Sequence, residues 1–267
     1  PFTGGTDNFI ADPMIGPPTL LMMNDPGDLH WHTTGDTLDK VDVAALGKIT
    51  HFAATFLFNI ANAGAISALY FAGLAGARAQ SSLAETAAHT IECCTNETAD
   101  FPMARSCLLQ RASVGAREVQ SVRNMLSHRE AKSIEKELAN MSGKLLSDAE
   151  GYVRVLERTL AQCGVSIRKR RVGAKKARLL ARAARLVPIR KYIGPMAYDK
   201  IPPARRKGHG DPRWDAGITA ALFWCDGRRT LDEVLQLAGN EVGGDLTALV
   251  EEFEFMAGEG LIRLKKK

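Results

Sequence analysis

No Asp, Glu, Lys or Arg occurs between Ile49 and Ala77. No acid occurs anywhere in residues 166–191, and no C-x-x-C pair exists in the chain. Each absence narrows the field. The five cysteines, Cys93, Cys94, Cys107, Cys163 and Cys225, are odd in number and irregularly spaced. That pattern excludes a disulfide framework and a four-cysteine structural zinc site, and it fits reduced thiols in a cytoplasmic protein. The chain opens on Pro1 with no initiator Met, no basic leader and no signal-type apolar core, so it is expected to be the C-terminal part of a longer protein.

The charge-free stretch raises the question of a membrane span, which needs about 20 apolar residues. Asn59, Asn62, Gly64 and Ser67 fall at its centre and alanines abound. Polar groups are costly in hydrocarbon, so two packed helices joined near Asn62-Ala63-Gly64 are expected and no membrane span. The acid-free stretch holds eleven Lys or Arg, which leaves the remainder of a +5 chain at net −6. Basicity is therefore local, and the overall charge alone does not define a nucleic-acid-binding protein.

Four regions follow from pattern and composition. Residues 1–42 are rich in Gly, Pro and Asp and contain one apolar run, PTLLMMN at 18–24, that suits a buried strand. From Val43 the period changes: Val43, Leu46, Ile49, Ala53, Phe56, Leu57 and Ile60 recur at helical spacing, with Asp42 placed as N-cap. Residues 64–165 read as a helical region whose charged part, SHREAKSIEKELANMSGKLL, suits a partly exposed amphipathic bundle. Residues 166–213 read as a basic segment and a Pro/Gly-rich linker. Residues 214–267 contain WDAGITAALFWC, then a Thr230/Glu233 capping box opening TLDEVLQLAG, then DLTALVEEFEFMAGEG and a short LIRL strand. Three helices and a strand in so short a span read as a small winged-helix-like domain.

The stretch HWHTTGDTLDKVD, residues 30–42, carries the chemistry-bearing side chains. In an extended strand His30 and His32 share one side and Trp31 takes the other. A His-x-His pair could then chelate one metal, His32 could serve as a single ligand at a sheet rim, or His32 could simply hydrogen-bond within a loop.

Taken together, GGTDN at 4–8, GPPTLLMM at 16–23 and WHTTGDTLDKVD at 31–42 resemble the end of the catalytic domain of the co-catalytic zinc aminopeptidases. That family also includes glutaminyl cyclases and glutamate carboxypeptidase-like enzymes. The resemblance covers residues 1–63 and implies the end of an α/β, mixed-sheet zinc exopeptidase domain. It makes His32 the last ligand of one of two zinc ions and Asp7 an acid hydrogen-bonded in the floor of the site. Asn8 stands where many relatives have His. Asp36 and Thr37 match the family's Asp-Thr at the helix entry. Trp31 resembles an aromatic that walls the substrate site of glutaminyl cyclases, and His30 has no counterpart.

A catalytic zinc needs about three protein ligands and an open position for water, with a carboxylate general base nearby. The family draws those groups from His-x-Asp and Glu-Glu elements upstream, and this chain contains neither in the required place. The expectation is a C-terminal fragment of a zinc-dependent aminopeptidase, acting on peptide substrates when complete and inactive alone. A homo-oligomer is left open. The alternative is a nucleic-acid-associated regulatory or interaction module. It is disfavoured because Glu251, Glu252 and Glu254, with Asp245 and Glu259 at the ends, occupy the helix that would approach phosphates. The basic stretch KKARLLARAARL, apolar at Leu179, Leu180, Ala183 and Leu186, is instead expected to lie across an acidic helical surface.

Overall fold

A computed structural model describes residues 12, 33–95, 101–164, 172–192, 194 and 196–267. The chain divides into two compact units. One comprises 21–85 and 111–152, the other 1–20, 86–110 and 153–267.

The first unit is helical. Asp42 caps α1 (Val43–Ala61) by accepting from the amides of Ala44 at 2.9 Å and Ala45 at 3.1 Å. The helix stops at Asn62, and α2 (Ala65–Thr95) begins after the Ala63-Gly64 break. α3 (Phe101–Ser121), α4 (His128–Ser133) and α5 (Glu135–Gln162) follow. Ser127 and Glu130 form a capping box at the start of α4.

Small side chains let these helices approach closely. Ala68, Ala72, Ala79 and Leu83 line the buried side of α2, and Ala112, Ala116 and Val119 that of α3. Leu138, Leu145 and Ala149 do the same on α5. Gln120 donates to Ser142 Oγ at 2.9 Å, and that hydroxyl donates to the Ala116 carbonyl, so the polar groups at the α3–α5 contact are satisfied. The first helix contrasts with the rest: α1 has no buried residue.

The second unit is built around residues 174–267. α6 (Ala174–Ala183) leads into β1 (Leu186–Arg190). After an irregular stretch come α7 (Ala216–Trp224), α8 (Leu231–Val242), α9 (Leu249–Gly258) and β2 (Ile262–Lys266). Asp215 caps α7 by accepting from the Ile218 amide at 2.8 Å. Glu233 accepts from the Thr230 amide at 2.7 Å, which realises the capping box read at α8. Gly227, at φ 73°, makes the turn between α7 and α8 with Asp226 accepting from the amides of Arg228 and Arg229. The core joins Ile218, Ala221 and Leu222 of α7, Leu231, Val234 and Leu235 of α8, and Val250, Phe253 and Met256 of α9.

The α/β expectation for the first 63 residues is overturned. The chain is mostly helical, and its described sheet is a single antiparallel pair, β1 with β2, in register Leu186↔Lys266 to Arg190↔Ile262. Neither strand comes from residues 1–63. The described part of that region is Asp12, in no regular element, and 33–63, which form a turn, a short 3-10 helix at Leu38–Lys40 and α1. The reason is periodic. From Val43 onward apolar residues recur at the helical spacing, and a two-residue alternation that would lay down strands is missing. The strand read at 18–24 lies outside the described residues.

The C-terminal region has the order read from the sequence, three helices then a strand. Yet β2 pairs with β1 rather than with a neighbouring hairpin strand, and no β-hairpin wing occurs among the described residues. The segment read as basic stretch and linker also enters the core through Leu179, Ala183, Met196, Tyr198 and Ile201.

Candidate functional site

His30, Trp31, His32 and Asp7 lie outside the described residues, as do Asn8 and the glycines before it. Asp36 and Thr37 are described and exposed; Thr37 precedes the short 3-10 helix and its hydroxyl bonds to Asp39. Among the described residues no group of three or more His, Cys, Asp or Glu side chains could hold a metal ion. The described part of the chain therefore does not by itself fit a zinc ion, and no reaction step can be placed on it.

What the structure brings together lies in the second unit, at the end of β1 and along α9. Arg190, the last residue of β1, faces Asp12 in a bidentate pair. Nη1 donates to Oδ1 at 2.8 Å and Nη2 to Oδ2 at 2.5 Å. The Gly194 amide donates to the same carboxylate at 2.9 Å, and Arg190 Nη2 also donates to the Gly194 carbonyl at 3.1 Å. Gly194 has φ 92°, a left-handed conformation in which an L side chain would be strained. A small pocket beside this pair is lined by Arg190, Gly194, Met196, Thr219, Leu222 and Phe223. Cys225 is buried, and burial pushes its thiol up to about 12, with Arg190 pulling weakly the other way.

The second cluster centres on Glu252 of α9. Its carboxylate accepts from the Tyr198 hydroxyl and pairs with His209 Nδ1 at 2.6 Å. The imidazole stacks on Phe255 with centroids 3.6 Å apart, and Tyr198 meets the same ring edge-on at 5.3 Å. Burial first, then the Glu252 hydrogen bond, raises the Tyr198 phenol well above its ordinary value. This arrangement straps the Pro/Gly-rich stretch onto α9.

Two of the three acids of α9, Glu252 and Glu254, are thus engaged inside the unit, and acids flanking the helix are paired as well. Arg182 of α6 pairs with Glu254, Arg205 with Glu259 at 2.7 Å, and Lys176 with Asp245 at 2.8 Å. Burial works to raise the Asp245 carboxyl, but Lys176 and Thr247 outweigh it and hold it below the usual range. Of these pairs, Arg182–Glu254 joins α6 to α9, and Lys176–Asp245 ties α6 to the segment before α9.

Sequence reasoning missed Asp12, Arg190, Tyr198 and His209. Arg190 was one of eleven cations in a run, and His209 one polar residue in a stretch read as linker; nothing local marked either. Compared with known proteins, the chain matches no protein family, no curated protein sequence and no solved structure.

Proposed function

We propose that this chain is the C-terminal part of a zinc-dependent, aminopeptidase-like hydrolase that in complete form cleaves peptide bonds near N-termini with two zinc ions. His32 would serve as a ligand and the region from Val43 onward would be non-catalytic. The reading rests on the resemblance of HTTGDTLDKVD to the loop and helix entry of that family. One observation supports it beyond the wording of the motif: the helix that follows the motif is apolar and uncovered. Leu57 is 65% and Phe58 68% exposed, and Val43, Leu46 and Phe52 are exposed too. Contiguous apolar surface of this kind marks an interaction face, and a helix leaving a catalytic loop would cover the body of the catalytic domain. α1 is also long and apolar enough to cross a membrane. Lys48 and His51 lie within it, which favours a protein partner.

The test compares this chain with a longer protein that includes the upstream coding sequence. The longer protein is expected to bind zinc and release amino acids from chromogenic aminoacyl substrates in a chelator-sensitive manner, while the chain alone gives no turnover. His32→Ala should remove most activity and lower zinc content, and His30→Ala should do much less. Equal losses in the two variants would favour a two-histidine chelate, and robust hydrolysis by the chain alone would end the fragment reading.

A further inference from the structure

β1 and β2 form a two-stranded antiparallel ribbon, so each strand has one edge toward its partner and one edge away from it. In such a pair, residues that exchange backbone hydrogen bonds across the ribbon alternate with residues whose backbone groups point outward. The Lys267 amide donates to the Arg185 carbonyl at 3.0 Å, which fixes the alternation. Counting inward along the register, Val187↔Lys265 and Ile189↔Arg263 bond across the ribbon, whereas Leu186↔Lys266, Pro188↔Leu264 and Arg190↔Ile262 turn their backbone groups outward. The two outer edges therefore differ. Pro188 holds the middle outward position of β1 and has no amide to offer, so it blunts that edge. On β2 the outward positions are Ile262, Leu264 and Lys266. Ile262 is buried, but Leu264 is half-buried and Lys266 exposed, and no described strand lies beside them.

The side chains give this edge a sign. Arg263 and Lys265 share one face of the ribbon, across from Ile189 and Val187, and both are exposed. Among the described residues no ion pair or hydrogen bond engages either side chain. A second copy of β2 is a poor partner for this edge. Antiparallel pairing about Leu264 would set Arg263 of one chain opposite Lys265 of the other, and like charges directly opposite destabilise a sheet. An acidic strand meets the reverse condition. We infer that the outer edge of β2, at Leu264 and Lys266, is a docking site for an extended acidic segment of a partner protein. That segment adds as a third strand and sets carboxylates at alternate positions beside Arg263 and Lys265. Backbone hydrogen bonds to Leu264 and Lys266 supply the register, and the two cations select the sign of the partner. Cations on an edge strand also discourage self-pairing, and both effects come from the same charges. The site is independent of the hydrolase reading.

The test uses the full chain and blocked synthetic peptides in which Glu, or Lys, alternates with Val. Amide exchange is read residue by residue by NMR. In the free chain the Arg263 and Lys265 amides, bonded to β1, should be protected, and those of Leu264 and Lys266 should exchange rapidly. Saturation with the Glu peptide should slow exchange at Leu264 and Lys266 by about tenfold or more and leave Arg263 and Lys265 nearly unchanged. The Lys peptide should protect neither. A Glu peptide with Pro in place of Val loses the amides that would face β2, and should bind at least about tenfold more weakly.

Arg263→Glu combined with Lys265→Glu changes only exposed side chains and should reverse the preference, so that the Lys peptide protects and the Glu peptide does not. No protection by the Glu peptide, or equal binding of its Pro version, overturns the added strand. Leu264 and Lys266 amides already protected in the free chain would show the edge to be taken by this chain itself. Protection that grows with chain concentration alone would show a second copy there. Either result overturns the docking of an acidic partner.

Discussion

Gly115 of α3 sits where the backbone comes close to α2. A Cβ added there would lie 2.5 Å from the Ala79 Cβ and 3.6 Å from Leu145 Cδ1, so one of two packed helices would have to move. Gly115→Ala is expected to destabilise the chain by about 1–3 kcal/mol despite the better helix propensity of alanine. Gly143, exposed on α5 with nothing within 4 Å of its would-be Cβ, supplies the contrast: Gly143→Ala should stabilise by up to about 1 kcal/mol. Urea denaturation of the two variants checks both signs. Asp211 offers a titration at the same scale. It accepts from the Arg213 amide and from the Arg213 guanidinium, and that guanidinium holds its carboxyl below the ordinary 3.8, with burial opposing. A lowered folded-state value means stability that is present above the ordinary value and is lost as pH falls through the lower one. Asp211→Asn should therefore be less stable than wild type at neutral pH, and the gap should close as pH drops below about 4. A gap that widens in acid would show the sign to be wrong.

Among the elements, α1 and α9 both carry phenylalanines and make opposite forecasts. Phe253 of α9 is fully buried among α7 and α8, and Phe253→Ala should cost about 3–5 kcal/mol. Phe52 and Phe58 of α1 are exposed, so replacing both with Ser should leave the stability of this chain within about 1 kcal/mol. The same change should abolish association between this chain and the upstream portion supplied separately, which sedimentation reads directly. Retained association would remove the support that α1 gives to the proposed function. These elements also show what was legible. Capping by Asp42 and by Thr230 with Glu233, and the order of α7, α8, α9 and β2, are local signals that act within a few residues, and they were readable. The pairing of β2 with β1 was not, because the two strands are far apart in sequence and β1 hides within a run of cations. The mixed sheet was an inference from a motif rather than from periodicity, and the helical period after Val43 already opposed it. Of the candidate site, Asp7, His30, Trp31 and His32 were named but lie outside the described residues, whereas Asp12 and Arg190 are joined only by the folded structure.

At the scale of the whole molecule, the competing idea is a nucleic-acid module, and the charge map bears on it. The helix that would enter a groove has Glu252, Glu254 and Glu259 already paired with His209, Arg182 and Arg205, while Glu251 stays exposed. Two of the four cations of α6, Arg182 and Lys176, pair on this surface as well. The densest run of cations in the sequence is Arg168, Lys169, Arg170 and Arg171. Any binding of the full chain to duplex DNA should therefore run through those four charges, without sequence preference. Replacing all four with Ser should weaken binding and reduce the slope of log affinity against log salt by roughly 3–4, the counterions that four phosphate contacts would release. Fluorescence anisotropy over a salt series, on two unrelated duplexes, measures both quantities. Tight binding that discriminates between the duplexes and survives loss of the four cations would place a reading surface on the folded domain, and the helix acids would then have to open away from their partners to allow it.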